Sequence, residues 1–560
     1  MRLTGAILAA SLPFLVAAKA PDAPLMSVVI RPGPMSEAAG KGDVDVVMTI
    51  PAVEAPAGQV LLSMGLYTPG LARPHTLTGL SVTDDAGVVP MSEGKGQAEG
   101  EARDGPHQWA PGRAVHGLLT VRYRVIAENI PALVGGPPTS LRIDGDGVSG
   151  VGDTFFMRTA VKGERRVAIK WDLSGMGKGT TGVSSYGDGD VTLPAGPIDR
   201  IYPAVYMAGT IHRVDVGAFS AVWTGEPPFD PRPSMLWTAK LHKWMSGFFK
   251  DTEEPPYRVF ARYNPMNAGG GAALTHSFII TYGKGVTGEN FKGILGHEMT
   301  HTWTANDIGK WYDEGDAVYY QAQLPWRAGL FTTDEYLRDL NETASRYYTN
   351  AMRATPESEV LSHFWEDTRI RVLPYDRGAM YFAVLNGKVR RASGGKRSMD
   401  DLILAMVERA RKGEPLTEQV WLDLLRKEIG EEGPKIHAAM LAGGLMLPES
   451  DDFGPCFRRV TRKIRQFDLG FDNASFTTPV KVIKGLKPGS EADKAGLRDG
   501  DVVTYAVSLD QVQGDVNRTL DLKVTRDGKT FPLSYLPRGE AVDAYQWERV
   551  AGVPDSACHS

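Results

Sequence analysis

The stretch that most restricts what this chain can fold into is FKGILGHEMTHTWTANDIGKWYDEGDAVYY, residues 291–320. It sets His297 and His301 four positions apart with Glu298 beside the first, and Glu314 thirteen positions beyond the second, in WYDEG. On an α-helix, residues four apart differ by about 40° in azimuth, so both imidazoles leave one face toward one ion. Glu298 lies one position round from His297 and can act as a general base without being a ligand. Two imidazoles and a carboxylate leave a fourth position open, as in a catalytic zinc, whereas a structural zinc is closed by four ligands, usually with cysteines. The chain has two cysteines, Cys456 and Cys558, both remote from this stretch.

The same pattern also arises by chance on ordinary surface helices, and context separates the two cases. Phe291, Ile294 and Leu295 recur at helical spacing ahead of the histidines, while Trp311, Val318 and Tyr319 give the Glu314 segment an apolar face of its own. One bound Zn2+ is therefore expected, with His297, His301 and Glu314 as ligands.

A chain of 560 residues has room for three or four domains, each burying its own core. Its net charge of -5 offers no basic surface for nucleic acid or an anionic membrane. Residues 1–20 read as an export leader, with Arg2 ahead of an apolar run from Ala6 to Ala18 that is too short to span a bilayer. Pro21 would hinder a cut after Ala20 and favours one after Ala18. No later segment is apolar enough to cross a membrane, so an exported protein, periplasmic or secreted, is expected. In an oxidising compartment Cys456 and Cys558 can bridge, with two free thiols as the alternative.

From 21 to 225, short strands separated by Gly, Pro and Asp clusters suggest an antiparallel β domain, with strands at 43–50, 59–67, 118–127 and 165–173. His75, His107, His116 and His212 are scattered through it without ligand spacing. A proline-rich hinge at 225–233 precedes a helix over 233–250 with Leu236, Leu241, Trp244 and Phe248 on one apolar side. Strands follow at 256–263 and in SFIIT. The intervening NAGGGAALTH places Gly270, Gly271, Ala272, Ala273 and His276 just ahead of the zinc helix, as candidate substrate-binding residues; the alternative is a plain glycine turn before an edge strand. Helical periodicity over 334–353, 375–391, 399–411 and 418–427 predicts a helical layer after the site. Tyr375 follows Pro374 at a helix start, where a hydroxyl can project toward a developing oxyanion or simply pack. Near Gln466 a last module begins: Ser490 caps a single turn, Gly496 ends it, and Asp527-Gly528 makes a hairpin.

Three separate stretches resemble the glycyl aminopeptidase family of gluzincin metallopeptidases. HEMTHTW is similar to its HExxHxW, WYDEGDAVYY to its WxxEGxxxYY, and YDRGAMYF with GGKRSMDDL to its YxxG helix and SLDDL segment. The resemblance implies a multidomain α+β protein: an N-terminal antiparallel β domain (21–225), a thermolysin-like zinc catalytic domain (226–345), a helical domain (346–455), a C-terminal PDZ domain (466–540) and a tail (541–560). It makes Glu298 the general base and Tyr375 the hydrogen-bond donor to the transition state. Leu469, Gly470 and Phe471 resemble a PDZ carboxylate-binding loop that would capture peptide C-termini, although 507–520 shows little sign of the helix forming such a groove's other wall.

Two departures bear on specificity. The gap from His301 to Glu314 is shorter than in related aminopeptidases, and Ala273-Leu274-Thr275-His276 stands where the family has a glutamate that binds the substrate's free amine. The expected activity is peptide-bond hydrolysis, as an aminopeptidase favouring small N-terminal residues. The alternatives are an endopeptidase on the same scaffold, a PDZ peptide-binding scaffold with a vestigial zinc site, and a non-peptide hydrolase.

Overall fold

The structure is a computed structural model that describes residues 23–558 apart from 37–39, 69–70, 98–104, 132–138, 265–268, 275, 284, 479, 506, 508 and 556–557. The leader expected at 1–20 and Thr275 lie outside the described residues.

The N-terminal region is built on one long antiparallel pair, Lys41–Ala55 with Val115–Glu128. Their alternation turns Val44, Val46, Met48 and Ile50, together with Leu119, Val121, Tyr123 and Val125, into one core. Further strands extend this pair to a seven-stranded sheet, and a five-stranded and a four-stranded sheet stand beside it. The expected wholly antiparallel domain needs one correction, because Leu25–Pro32 runs parallel to Arg165–Trp171. The four histidines are structural or surface groups: His75 is buried, His107 and His116 contact Glu93 and Glu54, and His212 stacks on Trp223.

The next sheet begins at His212, ahead of the boundary expected at 225. Its order is His212–Val216, Phe219–Trp223, Tyr257–Tyr263, Ser277–Tyr282, Gly271–Leu274, with the central three strands parallel. One face packs on Val151, Val183, Val205 and Met207 of the N-terminal region. The other receives α1 (Arg232–Phe248) and α2 (Gly288–Thr304). The apolar stripe of α1 runs through Met235, Leu241 and Met245, so Leu236, expected on that side, is 46% exposed.

Helices then follow in series: α3 (Lys310–Gln321), α4 (Gln323–Arg327), α5 (Thr333–Tyr348), α6 (Glu357–His363), α7 (Thr368–Arg371), α8 (Leu373–Ala392), α9 (Met399–Arg411), α10 (Glu418–Ile429) and α11 (Glu432–Leu441). Their apolar faces share one continuous core with the preceding sheet.

The C-terminal module has a four-stranded sheet, the single turn α12 (Glu491–Lys494) capped by Ser490, and a short helix α13 (Leu509–Gly514) inside the stretch that showed little helical signal. The hairpin turn has positive φ at both Asp527 and Gly528. Leu469, Gly470 and Phe471, expected as a carboxylate-binding loop, lie at the edge of the module, and Leu469 lines a small pocket with Asn473 and Tyr505. The side chains of Leu469 and Phe471 are buried in the module's core, and the Gly470 N–H donates to the Asp468 carboxylate at 2.9 Å.

The described residues of the expected tail are held in place, since Arg538–Arg549 pairs along Phe457–Phe467 and the Asn341 side chain of α5 bonds the Trp547 backbone in both directions. Cys456 and Cys558 are bridged, closing a separation of 102 residues. Replacing both cysteines by alanine is expected to cost about 2–5 kcal/mol in chemical unfolding. Thiol titration of the unreduced, denatured wild type is expected to find no free thiol; two free thiols, or an unchanged unfolding midpoint in the double variant, would contradict the bridge.

Candidate active site

A capping box opens α2: the Thr287 side chain accepts from the Asn290 N–H, and Asn290 Oδ1 accepts from the Thr287 N–H. Phe291, Leu295 and Met299 anchor the helix on the sheet, which leaves His297, Glu298 and His301 facing α3 and the cleft. Two close helix crossings bring the remaining groups in. At Gly296 an added Cβ would lie 2.4 Å from the Gln321 carbonyl oxygen, and at Gly315 it would lie 2.6 Å from the Gly378 Cα. Only glycine permits such approaches. The first crossing sets α3 against α2, and the second sets α8, with Tyr375 in its first turn, against the helix that carries Glu314.

The outcome is a compact triangle. His297 Nε2 lies 3.3 Å from Glu314 Oε2 and 3.3 Å from His301 Nε2, and His301 Nε2 lies 3.5 Å from Glu314 Oε2. Ligand atoms about 2.0–2.1 Å from a tetrahedral ion stand roughly 3.3–3.4 Å apart, so the spacing fits a zinc-sized ion with one position left open. Two facing imidazole nitrogens at this distance gain nothing from each other unless a proton or a cation lies between them. All three side chains are nearly buried, with 9–12% exposure.

Neighbouring polar groups orient the two imidazoles. Asp313 Oδ1 lies 3.2 Å from His301 Nδ1, and Gln321 Oε1 lies 3.3 Å from His297 Nδ1, while Gln321 Nε2 donates to Asp339 at 2.9 Å. The fields agree with a cation site. Burial alone would push the Glu314 carboxyl up, but His297 and His301 outweigh it and hold the group well below the usual carboxylate range. Burial also disfavours charge on His301, and Asp313 and Glu314 outweigh it to hold that imidazole well above its usual value. A divalent cation is favoured by the same field.

Glu298 is raised above the ordinary carboxylate range by burial, opposed by the two histidines, and it accepts a hydrogen bond from the Ala273 N–H. Tyr375 stacks on the His297 ring with centroids 5.9 Å apart. Burial, reinforced by Glu314 and Glu298, holds its phenol well above the usual value, so it is an O–H donor at neutral pH.

These groups open onto a cavity of about 470 Å³ lined by His297, Glu298 and Tyr375, by Gly269–Gly271, by Glu342 and Arg346 of α5, and by α13. Strand alternation sorts the five candidate substrate-binding residues. Gly270 and Gly271 line the cavity and Ala273 reaches Glu298 through its backbone. Ala272 points to the opposite face, against the Val222, Phe260 and Ile279 cluster, and His276 is exposed in the hairpin turn at φ 44°, so neither belongs to the site. Sequence reasoning passed over Asp313 and Gln321, although both flank recognised motif residues. It also passed over Glu342, whose only signal was a helix of mixed charge.

No family model matches this chain, and no curated protein matches it either. Solved structures do. An aminopeptidase N family protein from Idiomarina loihiensis superposes with a TM-score of 0.66, covering 95% of this chain and 99% of its own, at 15% sequence identity. The two share a fold. An M1 zinc metallopeptidase from Deinococcus radiodurans reaches 0.46 at 14% identity, over 76% of this chain and 95% of its own. A yeast LTA4 hydrolase reaches 0.47 at 13% identity, over 78% of this chain and 73% of its own.

His301→Ala is expected to lose bound zinc on dialysis, and Asp313→Asn to weaken it about 10–100-fold in competition with a chelator. Unchanged zinc content in His301→Ala would remove the triangle as the metal centre.

Proposed function

We propose that this chain is an exported zinc peptidase that removes residues from free peptide N-termini. The observation that carries the reading is the ligand triangle, with a buried carboxylate and a protonated phenol beside it on one cavity. Zinc held by His297, His301 and Glu314 would supply Lewis acidity toward the scissile carbonyl.

The remaining chemistry belongs to the chain. Glu298 sits buried beside His297, where a proton can be taken and then handed to the leaving amine. The Tyr375 hydroxyl donates a hydrogen bond to the carbonyl oxygen as that oxygen gains charge. Gly271–Leu274 is the edge strand of its sheet, paired on one side with Ser277–Tyr282, and its other side offers backbone groups to an extended peptide.

Support for aminopeptidase action comes from Glu342. It faces the cavity and forms no ion pair among the described residues, and burial together with Asp339 pushes its carboxyl up to about 7. A substrate ammonium there would pull that value back down and gain a charge-assisted bond. Glu342 thus offers the anionic partner that Thr275 lacks. Export is supported by the Cys456–Cys558 bridge, which needs an oxidising compartment. The C-terminal module, PDZ-like in sequence, serves on this reading as a structural part of the enzyme.

Matched short peptides, free or acetylated at the N-terminus, are expected to differ by at least 100-fold in kcat/KM, read by mass spectrometry. Glu342→Gln is expected to raise KM for the free peptides about 10–100-fold, the worth of one charge-assisted hydrogen bond. Equal cleavage of both forms would favour the endopeptidase reading instead.

A further inference from the structure

The C-terminal module forms one wall of the cavity, and its contacts there are specific. Asp510 of α13 accepts from the Thr368 hydroxyl and, at 2.7 Å, from Arg371 Nη2, both on α7 just ahead of Tyr375. Behind α13, Arg538 Nη2 donates to the Val512 carbonyl at 2.7 Å and to the Asp515 carbonyl at 2.6 Å, fixing the helix end and the following turn. Gly514 lies against α5, where an added Cβ would stand 3.1 Å from Arg346 Nη1. Gln511 reaches the opposite wall: a Cβ on Gly269 would lie 3.3 Å from its Nε2. The cavity is therefore bridged from α13 to the glycine segment, close to the edge strand on which an extended peptide would lie.

We infer that α13, through Gln511, closes one end of the substrate cleft and makes a chain terminus a requirement for cleavage. This rests on the peptidase reading and supplies its exopeptidase character. A polypeptide running on past the bridge would have to displace Gln511 from Gly269, whereas a chain ending there would not. The charge at the closed end selects which terminus fits. The cavity lining carries Glu298, Glu342, Asp510 and Asp515 against Arg346 and Arg518, and Arg346 is already bound bidentately by Asp376. An ammonium group is matched there and a carboxylate is not.

The test compares an internally quenched peptide blocked at both ends with a free-amine peptide of the same core sequence, on wild type, Gln511→Ala and Asp510→Ala. Wild type is expected to favour the free-amine peptide at least 100-fold in kcat/KM. Gln511→Ala is expected to narrow that ratio at least tenfold with zinc content and melting temperature near wild type, and Asp510→Ala, which strips Arg371 of its partner, to narrow it as well while lowering the melting temperature. A ratio the variants leave unchanged, or a wild type that cuts the blocked peptide as fast as the free one, would overturn the inference.

A second measurement is independent of turnover. In a Glu298→Gln background, Gln511→Cys adds the one free thiol to a chain whose two cysteines are bridged. The free-amine peptide is expected to slow its maleimide labelling at least fivefold and the blocked peptide to leave it unchanged. Equal labelling in both cases would overturn the wall. If wild type cut no peptide at all, the peptidase reading would fail first, and labelling would still decide the role of Gln511.

Discussion

Everything at this site depends on how closely three helices cross. A histidine pair four residues apart defines a direction but not a metal centre; the third ligand must arrive within about 3.4 Å of both imidazole nitrogens. Gly296 and Gly315 allow that arrival, one by admitting the Gln321 carbonyl against α2 and the other by admitting Gly378 against α3. A methyl group at either place would collide with backbone, which cannot turn aside as a flexible side chain can. The tightness of the fold and the reach of its chemistry are thus the same constraint. It also explains how a short connection between the two ligand helices suffices: α3 lies directly on α2 and has little distance to return.

From that crossing the structure extends outward through buried charge. Arg346 of α5 holds Asp376 of α8 at 2.7–2.9 Å, one residue from Tyr375. Asp510 of α13 holds Arg371 of α7, four residues before Tyr375. The tyrosine is therefore placed by ion pairs from two sides, one within the helical layer and one from the C-terminal module. Buried pairs of this kind contribute less to stability than their Coulomb energy suggests, because desolvation offsets it, but they fix one arrangement over its neighbours. The ribbon formed by Phe457–Phe467 and Arg538–Arg549, tied by the disulfide, keeps the module against α5.

What the sequence made legible was whatever local periodicity determines. The helix carrying His297 and His301, the separate helix carrying Glu314 and the helical start at Tyr375 all followed from spacing. Their convergence did not, because nothing in WYDEG says what Gly315 must touch. Ala272 and His276 were grouped with their glycine neighbours, yet alternation along a strand sends Ala272 to the far face, and a turn carries His276 into solvent. Leu469 and Phe471 were read as a binding loop, and their side chains fill the module's core, since apolar side chains flanking a glycine suit either role. The wall built by α13 was hidden most completely. Six residues make too short a helix for an apolar period to register, and its partners, Gly269, Arg346 and Arg371, are more than a hundred positions away in sequence.

The central claim is that a metal held by His297, His301 and Glu314 works together with Glu298 as the proton-transfer group. Parallel metal analysis and peptide turnover of Glu298→Gln addresses it most directly. The account requires about one zinc per chain in the variant, as in wild type, with turnover reduced by several orders of magnitude. A zinc-loaded variant that cleaves peptides at the wild-type rate would contradict it.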